Sequence, residues 1–420
     1  MAQFKVAGSR TAPSSTEPPD GGGMMHSVRA YPAFRLLMLG TLGTNSAFWM
    51  YQVAVGWLAL QMTDSPLFVG MAGFAGGIPL LIFALPAGVV IDRFDRRVVL
   101  VVAQCGVMAI SAILAVMVGV DSIEPWSLLM LVAVYGTVMS FIFPVRTVMV
   151  PSLVERADIA NAVALNSAGQ NATRVVGPSI AGVLIATIGV SETFAVAAAL
   201  QAIALIWTWR LPPNASDSTA RSGRVWESLT LGLRIVSQSP FLTALIVLAL
   251  APTVLVMPYI NLMPVFARDE LGLGSSGLGI LLASTGVGTV AGSLAVARSA
   301  RLRNARSTQV VTAVGFSVGV LAFSVTPYVP VAVLLLFGAG WMSAAFLAIN
   351  QTSLQLSVDD DVRGRVLSIY LLTWGMLPIG QLAVGALADS VGTPLAMLVS
   401  CLLAIGCVVI IAGRFPSLRG

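Results

Sequence analysis

The feature that most constrains this chain is a series of long apolar blocks separated by short polar gaps. A helix rises 1.5 Å per residue, so about 20 apolar residues cross the ~30 Å hydrocarbon core of a bilayer. Twelve blocks of that kind are legible, at 36–61, 67–91, 98–119, 126–149, 162–188, 192–210, 241–266, 275–297, 308–326, 328–354, 366–388 and 394–413. Only 10% of the residues are charged, against roughly 25% in a soluble domain. The expected fold is therefore all-α and integral to the membrane, with twelve transmembrane helices and a lipid bilayer as its main partner.

The placement of charge supplies the orientation. Counting Arg210, the last residue of the sixth block, with the gap that follows it, all of the 23 basic residues except Arg146, Arg174 and Arg268 fall in the N-terminal tail, the even-numbered gaps or the C-terminal tail. Positive charge stays on the cytoplasmic side, which predicts a multi-pass protein with both termini inside. That topology accounts for the net charge of +5 and leaves nothing for nucleic acid to explain. Residues 1–31 are rich in Pro, Ser and Gly and lack a signal-peptide core, so they read as a disordered cytoplasmic tail, with Met24 or Met25 as alternative starts.

The chain also repeats. "LVERADIANAV" at Leu153 and "LSVDDDVRGRV" at Leu356 share Leu, Asp and Val at an offset of 203, and "AGVLIATIG" matches "VGALADSVG" at the same offset. The expectation is two pseudo-symmetric six-helix bundles, 32–210 and 241–414. A cytoplasmic linker at 211–240 joins them and holds an amphipathic helix, and a short tail follows at 415–420. Such paired bundles carry a substrate site near the midplane, between the halves.

"GVVIDRFDRR" (Gly88 to Arg97) resembles the loop signature of the major facilitator superfamily. "DRFDRR" is similar to the branch holding the enterobactin exporter and macrolide-efflux-like transporters. "TDSP" at Thr63, "PVRTVMVPSLV" at Pro144, "RVVGPSIAG" at Arg174 and "VRGRVLSIY" at Val362 agree with it, over about residues 32–412. The stretch holding Gly177, Pro178 and Gly182 looks like the fifth-helix packing motif of antiporters. One departure is Val132, which stands where many drug/proton antiporters carry an arginine. The resemblance implies a secondary transporter of the bacterial cytoplasmic membrane that exports amphiphilic small molecules, drug or siderophore, by alternating access and proton antiport. An importer or facilitator on the same fold is the alternative.

Gly88, Asp92, Arg93, Asp95, Arg96 and Arg97 form the densest charge cluster of the apolar region. One reading is a positive-inside anchor. The other is a latch, with Asp92 at the positive N-terminus of the eleventh span and Arg96 and Arg97 on the acidic run that includes Asp361. An offset of 204 pairs Gly88 with Gly292, and the aspartates then have no counterpart in the second half. On the fifth span Asn166, Gln170 and Arg174 recur every fourth residue on one face, with Asn171 beside them. An arginine deep in a span is costly and faces a partner or a water-filled cavity, so Arg174 is either a helix clamp or a cavity cation that draws anionic groups. Asn45, Trp49 and Gln52 on the first span, Tyr259 and Asn261 on the seventh, and Trp374 complete the candidate cavity.

No Asp, Glu or His stands mid-span, which leaves Asp92 and Asp389 at span ends as the groups for proton coupling. The spans hold no carboxylate pair, Cys–His pair or phosphate-cradling Gly-Lys-Ser/Thr loop. Neither an enzyme nor an ATP-driven pump is expected, and no cofactor or metal. A monomer is the expected state.

Overall fold

The computed structural model describes residues 25–213, 225–298, 305–358 and 360–415. Their regular structure is helical throughout. The first six long helices are α1 (Pro32–Thr63), α2 (Pro66–Arg93), α3 (Arg96–Gly119), α4 (Pro125–Ser152), α5 (Ile159–Thr187) and α6 (Val190–Trp209). A shorter α7 (Val225–Gln238) follows, then α8 (Pro240–Leu255), α9 (Gly274–Arg298), α10 (Ala305–Val325) and α11 (Val329–Leu356). The chain ends in α12 (Asp360–Gly375), α13 (Leu377–Val391) and α14 (Thr393–Arg414).

Ten segments among the described residues are long and apolar enough to cross a membrane, and the protein is a multi-pass membrane protein. The ten omit α1 and α5, which have the length (32 and 29 residues) but carry the polar residues singled out above. Proline starts many of the helices, at Pro32, Pro66, Pro125 and Pro240, where its missing N–H is an orphan in any case. Large apolar side chains such as Val102, Met130, Leu334 and Ile410 stay exposed on the outer faces, as a lipid-facing surface requires.

Two of the expected spans are not continuous helices. After α8 the chain passes through a 3-10 turn at Met257–Ile260, a short helix at Met263–Val265 and a wide π turn at Phe266–Glu270. Pro258 and Pro264 each remove a backbone donor there, which weakens a continuous α-helix over this stretch. The eleventh span breaks at Met376 into α12 and α13, and Pro378 sits in the first turn of α13, where its missing N–H leaves one fewer bond back to α12.

In the N-terminal half α6 packs on α1 and α3, α2 packs on α4, and α1 packs on α5. The C-terminal half repeats this, with α9 on α11 and α10 on both α11 and α14. Polar ties repeat too. Arg146 of α4 donates to the Gly40 carbonyl of α1 at 2.9 Å, and Asn350 at the matching place in α11 donates to the Leu245 carbonyl of α8 at 3.1 Å. The halves meet mainly along α2 with α13 and α5 with α9. In both seams glycine lies on glycine: a Cβ on Gly385 would stand 2.9 Å from the Gly70 Cα, and one on Gly182 would overlap Gly279.

These contacts correct the register of the repeat. Gly70 and Gly279 play the same part 209 residues apart, whereas α4 and α11 match at 204 through Gly136 and Gly340. The irregular stretch after α8 supplies the five extra residues. Gly292 is therefore not the partner of Gly88. It packs on the Trp341 backbone, while among the described residues nothing lies within 4 Å of a Cβ on Gly88. The residue that then matches Asp92 is Arg301, which lies outside the described residues.

Candidate functional site

One end of the seam between the halves is closed by polar contacts. Asp389, near the end of α13, accepts from Ser65 Oγ at 2.6 Å and from the Leu67 N–H at 3.4 Å, at the N-terminus of α2. Arg268, in the π turn, reaches Asp64 at 2.8 Å and the Leu60 carbonyl at 3.3 Å, at the C-terminus of α1. Each charge opposes the partial charge of the helix end it meets. Below them Asn261 donates to the Val69 carbonyl at 2.8 Å, and its amide and that of Gln381 crowd Gly73.

The arginine-rich end is different. Leu81 of α2 packs against Gly375 of α12, and toward the arginine-rich end a Cβ on Gly88 or Gly364 would meet no heavy atom within 4 Å among the described residues. Asp92 is half-buried and has no hydrogen-bond or ion-pair partner among the described residues. Asp95 instead caps α3, accepting from the Arg97 N–H at 2.9 Å and the Val98 N–H at 3.2 Å. Arg97 turns back into its own half, where it donates to the Trp209 carbonyl at the end of α6 and sits 6.0 Å from that indole. Arg93 is exposed, Arg96 is half-buried, and the Asp361 side chain lies outside the described residues. Arg97 is thus drawn to the carbonyl end of α6, where a cation is favoured, rather than to the acidic run.

Between the two ends stands Arg174. It is exposed, with its guanidinium 5.4 Å from the Trp49 ring on α1 and 6.0 Å from the Trp374 ring on α12. Trp49 and Trp374 belong to different halves, so Arg174 lies in the space between them. Asn171 is exposed beside it, while Gln170 and Gln52 are half-buried. The face expected from the spacing exists, but it is graded: Asn166, two turns before Arg174, is buried with its Oδ1 unpaired.

Several expected cavity residues sit elsewhere. Tyr259 is 1% exposed and packs inside the C-terminal half against Phe316, where its ring fills the core. Asn45 is buried within the N-terminal half, and Asn261 belongs to the closed end. The glycine–proline stretch of α5 is divided between two neighbours. Gly177 lets Trp49 of α1 approach, Gly182 meets α9, and Pro178 is buried between them.

Arg268, Ser65, Asp64 and Gln381 escaped the sequence reading. For Arg268 a signal existed, since it is the single basic residue on the otherwise base-free side. Another polar centre lies in the N-terminal half, where Arg146 also donates to Thr44 Oγ1 at 2.7 Å and Thr44 accepts from Gln104 at 2.9 Å. Arg146 is 3% exposed, and its Nε and Nη1 have no partner.

A family model described as transmembrane secretion effector matches residues 27–419. The chain is 28% identical over 373 residues to the multidrug efflux pump Tap of Mycolicibacterium fortuitum, covering 85% of this chain and 89% of that one. It is 23% identical to the staphyloferrin A transporter of Staphylococcus aureus, over 82% and 86% of the two chains. It is 25% identical to the enterobactin exporter EntS of Shigella boydii, over 81% of each. Among solved structures, a bacterial homologue of the human lysosomal transporter Spinster, inward-facing and unoccupied, superposes with a TM-score of 0.73 at 14% identity. That match covers 92% of this chain and 98% of that one.

Proposed function

The chain belongs to the transmembrane secretion effector family of the major facilitator superfamily, and from that premise we propose that it exports amphiphilic small organic molecules by alternating access, driven by proton antiport. It is a membrane transporter and not an enzyme. The observation that supports the proposal is the asymmetry of the seam: Asp389–Ser65 and Arg268–Asp64 close one end, while at the other Gly88 and Gly364 face open space among the described residues. A space that opens at one end and holds Arg174, Asn171, Trp49 and Trp374 is what a substrate site between moving halves requires.

In this reading twelve helices cross the membrane in two six-helix bundles, 32–210 and 241–414. α1 and α5 cross despite their polarity because they line the space between bundles. Both termini are cytoplasmic, so the open end faces the cytoplasm and the state is inward-facing. Outward opening would break the contacts of Asp389 and Arg268 and bring Asp92 toward α12. Asp389 and Asp92 are the carboxylates placed to exchange protons with the two sides.

The names of the similar chains, drug efflux pump and siderophore transporter, support outward transport of organic compounds. Inverted membrane vesicles test it with a panel of fluorescent amphiphiles. Uptake of at least one dye above that of vesicles without the protein, abolished by a protonophore, is the expected result. Uptake indifferent to the protonophore removes antiport, and no uptake of any dye removes the exporter reading.

A further inference from the structure

The two arginines buried in the sequence of the N-terminal half have opposite fates. Arg146 is 3% exposed and spends one nitrogen on a backbone carbonyl and a hydroxyl of α1, which is how a clamp behaves. Arg174 is exposed and, among the described residues, makes no hydrogen bond and no ion pair. Its neighbours are the two indoles at 5.4 and 6.0 Å. A cation–π contact softens the charge but uses none of the five guanidinium donors.

An arginine held at that depth without a counter-ion is expensive. Among the described residues no aspartate or glutamate stands in the middle of a helix to neutralise it. Its free N–H edge has the fork geometry that fits a planar two-oxygen anion, and the flanking indoles offer an apolar body somewhere to lie. Trp374 comes from the opposite half to Arg174 and Trp49, so a ligand held here touches both halves at once.

We propose that Arg174, with Trp49 and Trp374, is the specificity-determining site of this transporter and selects organic carboxylates with an apolar or aromatic body over neutral and cationic compounds. This rests on the exporter reading and narrows its substrate class. Neutral amphiphiles leave the guanidinium unpaired, and cations are repelled by Arg174, which among the described residues is the one mid-helix charge that faces the space between the halves.

The test uses the full chain in detergent, with its three cysteines replaced by serine and Asn171→Cys introduced one helical turn from Arg174. The modification rate of that thiol is measured with an anionic sulfonatoethyl and a cationic trimethylammonioethyl methanethiosulfonate. Arg174→Gln is expected to lower the anionic-to-cationic rate ratio about tenfold, as loss of one charge at helical-neighbour distance implies. 2-Naphthoate should slow modification in the Arg174 protein, while 2-naphthamide and 2-naphthylmethylammonium should not. Arg174→Lys should keep the rate ratio but lose most of the naphthoate protection. A ratio that changes less than twofold in Arg174→Gln overturns the proposal, as does equal protection by the three probes or none by naphthoate. No gradient is involved, so carboxylate selectivity here without energised vesicle uptake sinks only the exporter reading. Vesicle uptake without selectivity here sinks only this one.

Discussion

Asp389 accepts a 2.6 Å hydrogen bond from Ser65 across the seam, so the carboxylate of one half binds the residue that caps a helix of the other. Ser65 in turn accepts from the Phe68 N–H at 3.2 Å, and Asp389 adds the Leu67 N–H. The first turn of α2 is satisfied partly from within and partly from across the interface. α2 carries a second carboxylate, Asp92, at its far end. The two halves thus each give this seam a carboxylate, Asp92 from α2 and Asp389 from α13, and of these two only Asp389 is engaged among the described residues.

Asp389→Asn is expected to loosen the closed end. A hydrogen bond to a charged group contributes about 1.5–3 kcal/mol, enough to shift a two-state equilibrium tenfold or more. A thiol placed at Asn261 in a cysteine-free background should react with an external reagent several-fold faster in the Asp389→Asn protein. Unchanged reactivity would show that the contact does not hold the end shut.

Gly385→Leu tests the same end by sterics. Even a Cβ there would stand 2.9 Å from the Gly70 Cα and 3.0 Å from the Pro66 carbonyl. A leucine must therefore push α2 and α13 apart. The expected outcome is lost transport with retained expression, and a spin-label distance across this end that lengthens by several ångströms. A fully active variant would contradict the packing described.

Asp95 separates a capping role from a charge role. Asp95→Ala should destabilise α3 by about 1 kcal/mol, and Asp95→Ser, which still accepts from the two N–H groups, should restore most of it. The readout is the thermal midpoint of the detergent-solubilised protein together with vesicle uptake. Loss of function in both variants at equal stability would mean that the charge itself is needed.

Arg146→Met removes a buried cation that has no carboxylate partner among the described residues and two nitrogens without hydrogen bonds. Replacing a buried charge by an apolar group of similar volume is often neutral or stabilising. The thermal midpoint should hold or rise. A fall of more than about 5 °C would show that the Gly40 and Thr44 contacts outweigh the desolvation.

Much of the architecture was legible because lipid forces it. Long apolar blocks have one regular solution in a membrane, and the positions of Pro125, Pro240 and Gly189 mark where blocks begin or end. The breaks at Val256–Glu270 and Met376 were not legible, since each lies inside an apolar run and depends on how prolines meet tertiary neighbours. The Arg174 face could be read because a helical period places polar residues on a line. Tyr259 and Asn45 show the limit of that argument. Spacing gives the face of a helix, but whether the face looks into the core or into the space between halves depends on the neighbour. Asp95 and Arg97 make the same point, as local helix ends claim them before any distant partner can.

The modest hydropathy of α1 and α5 has a consequence for biosynthesis. A segment leaves the translocon for lipid according to its own free energy of transfer, and α1 emerges first with Asn45 and Gln52 on it. Its two most extensive packing partners, α5 and α6, are the last helices of its half to be made, while α2 and α4 touch it less. Entry of α1 into lipid is therefore expected to be a delayed event. A nascent chain released after residue 63 should remain extractable by alkali, and one released after residue 213 should not.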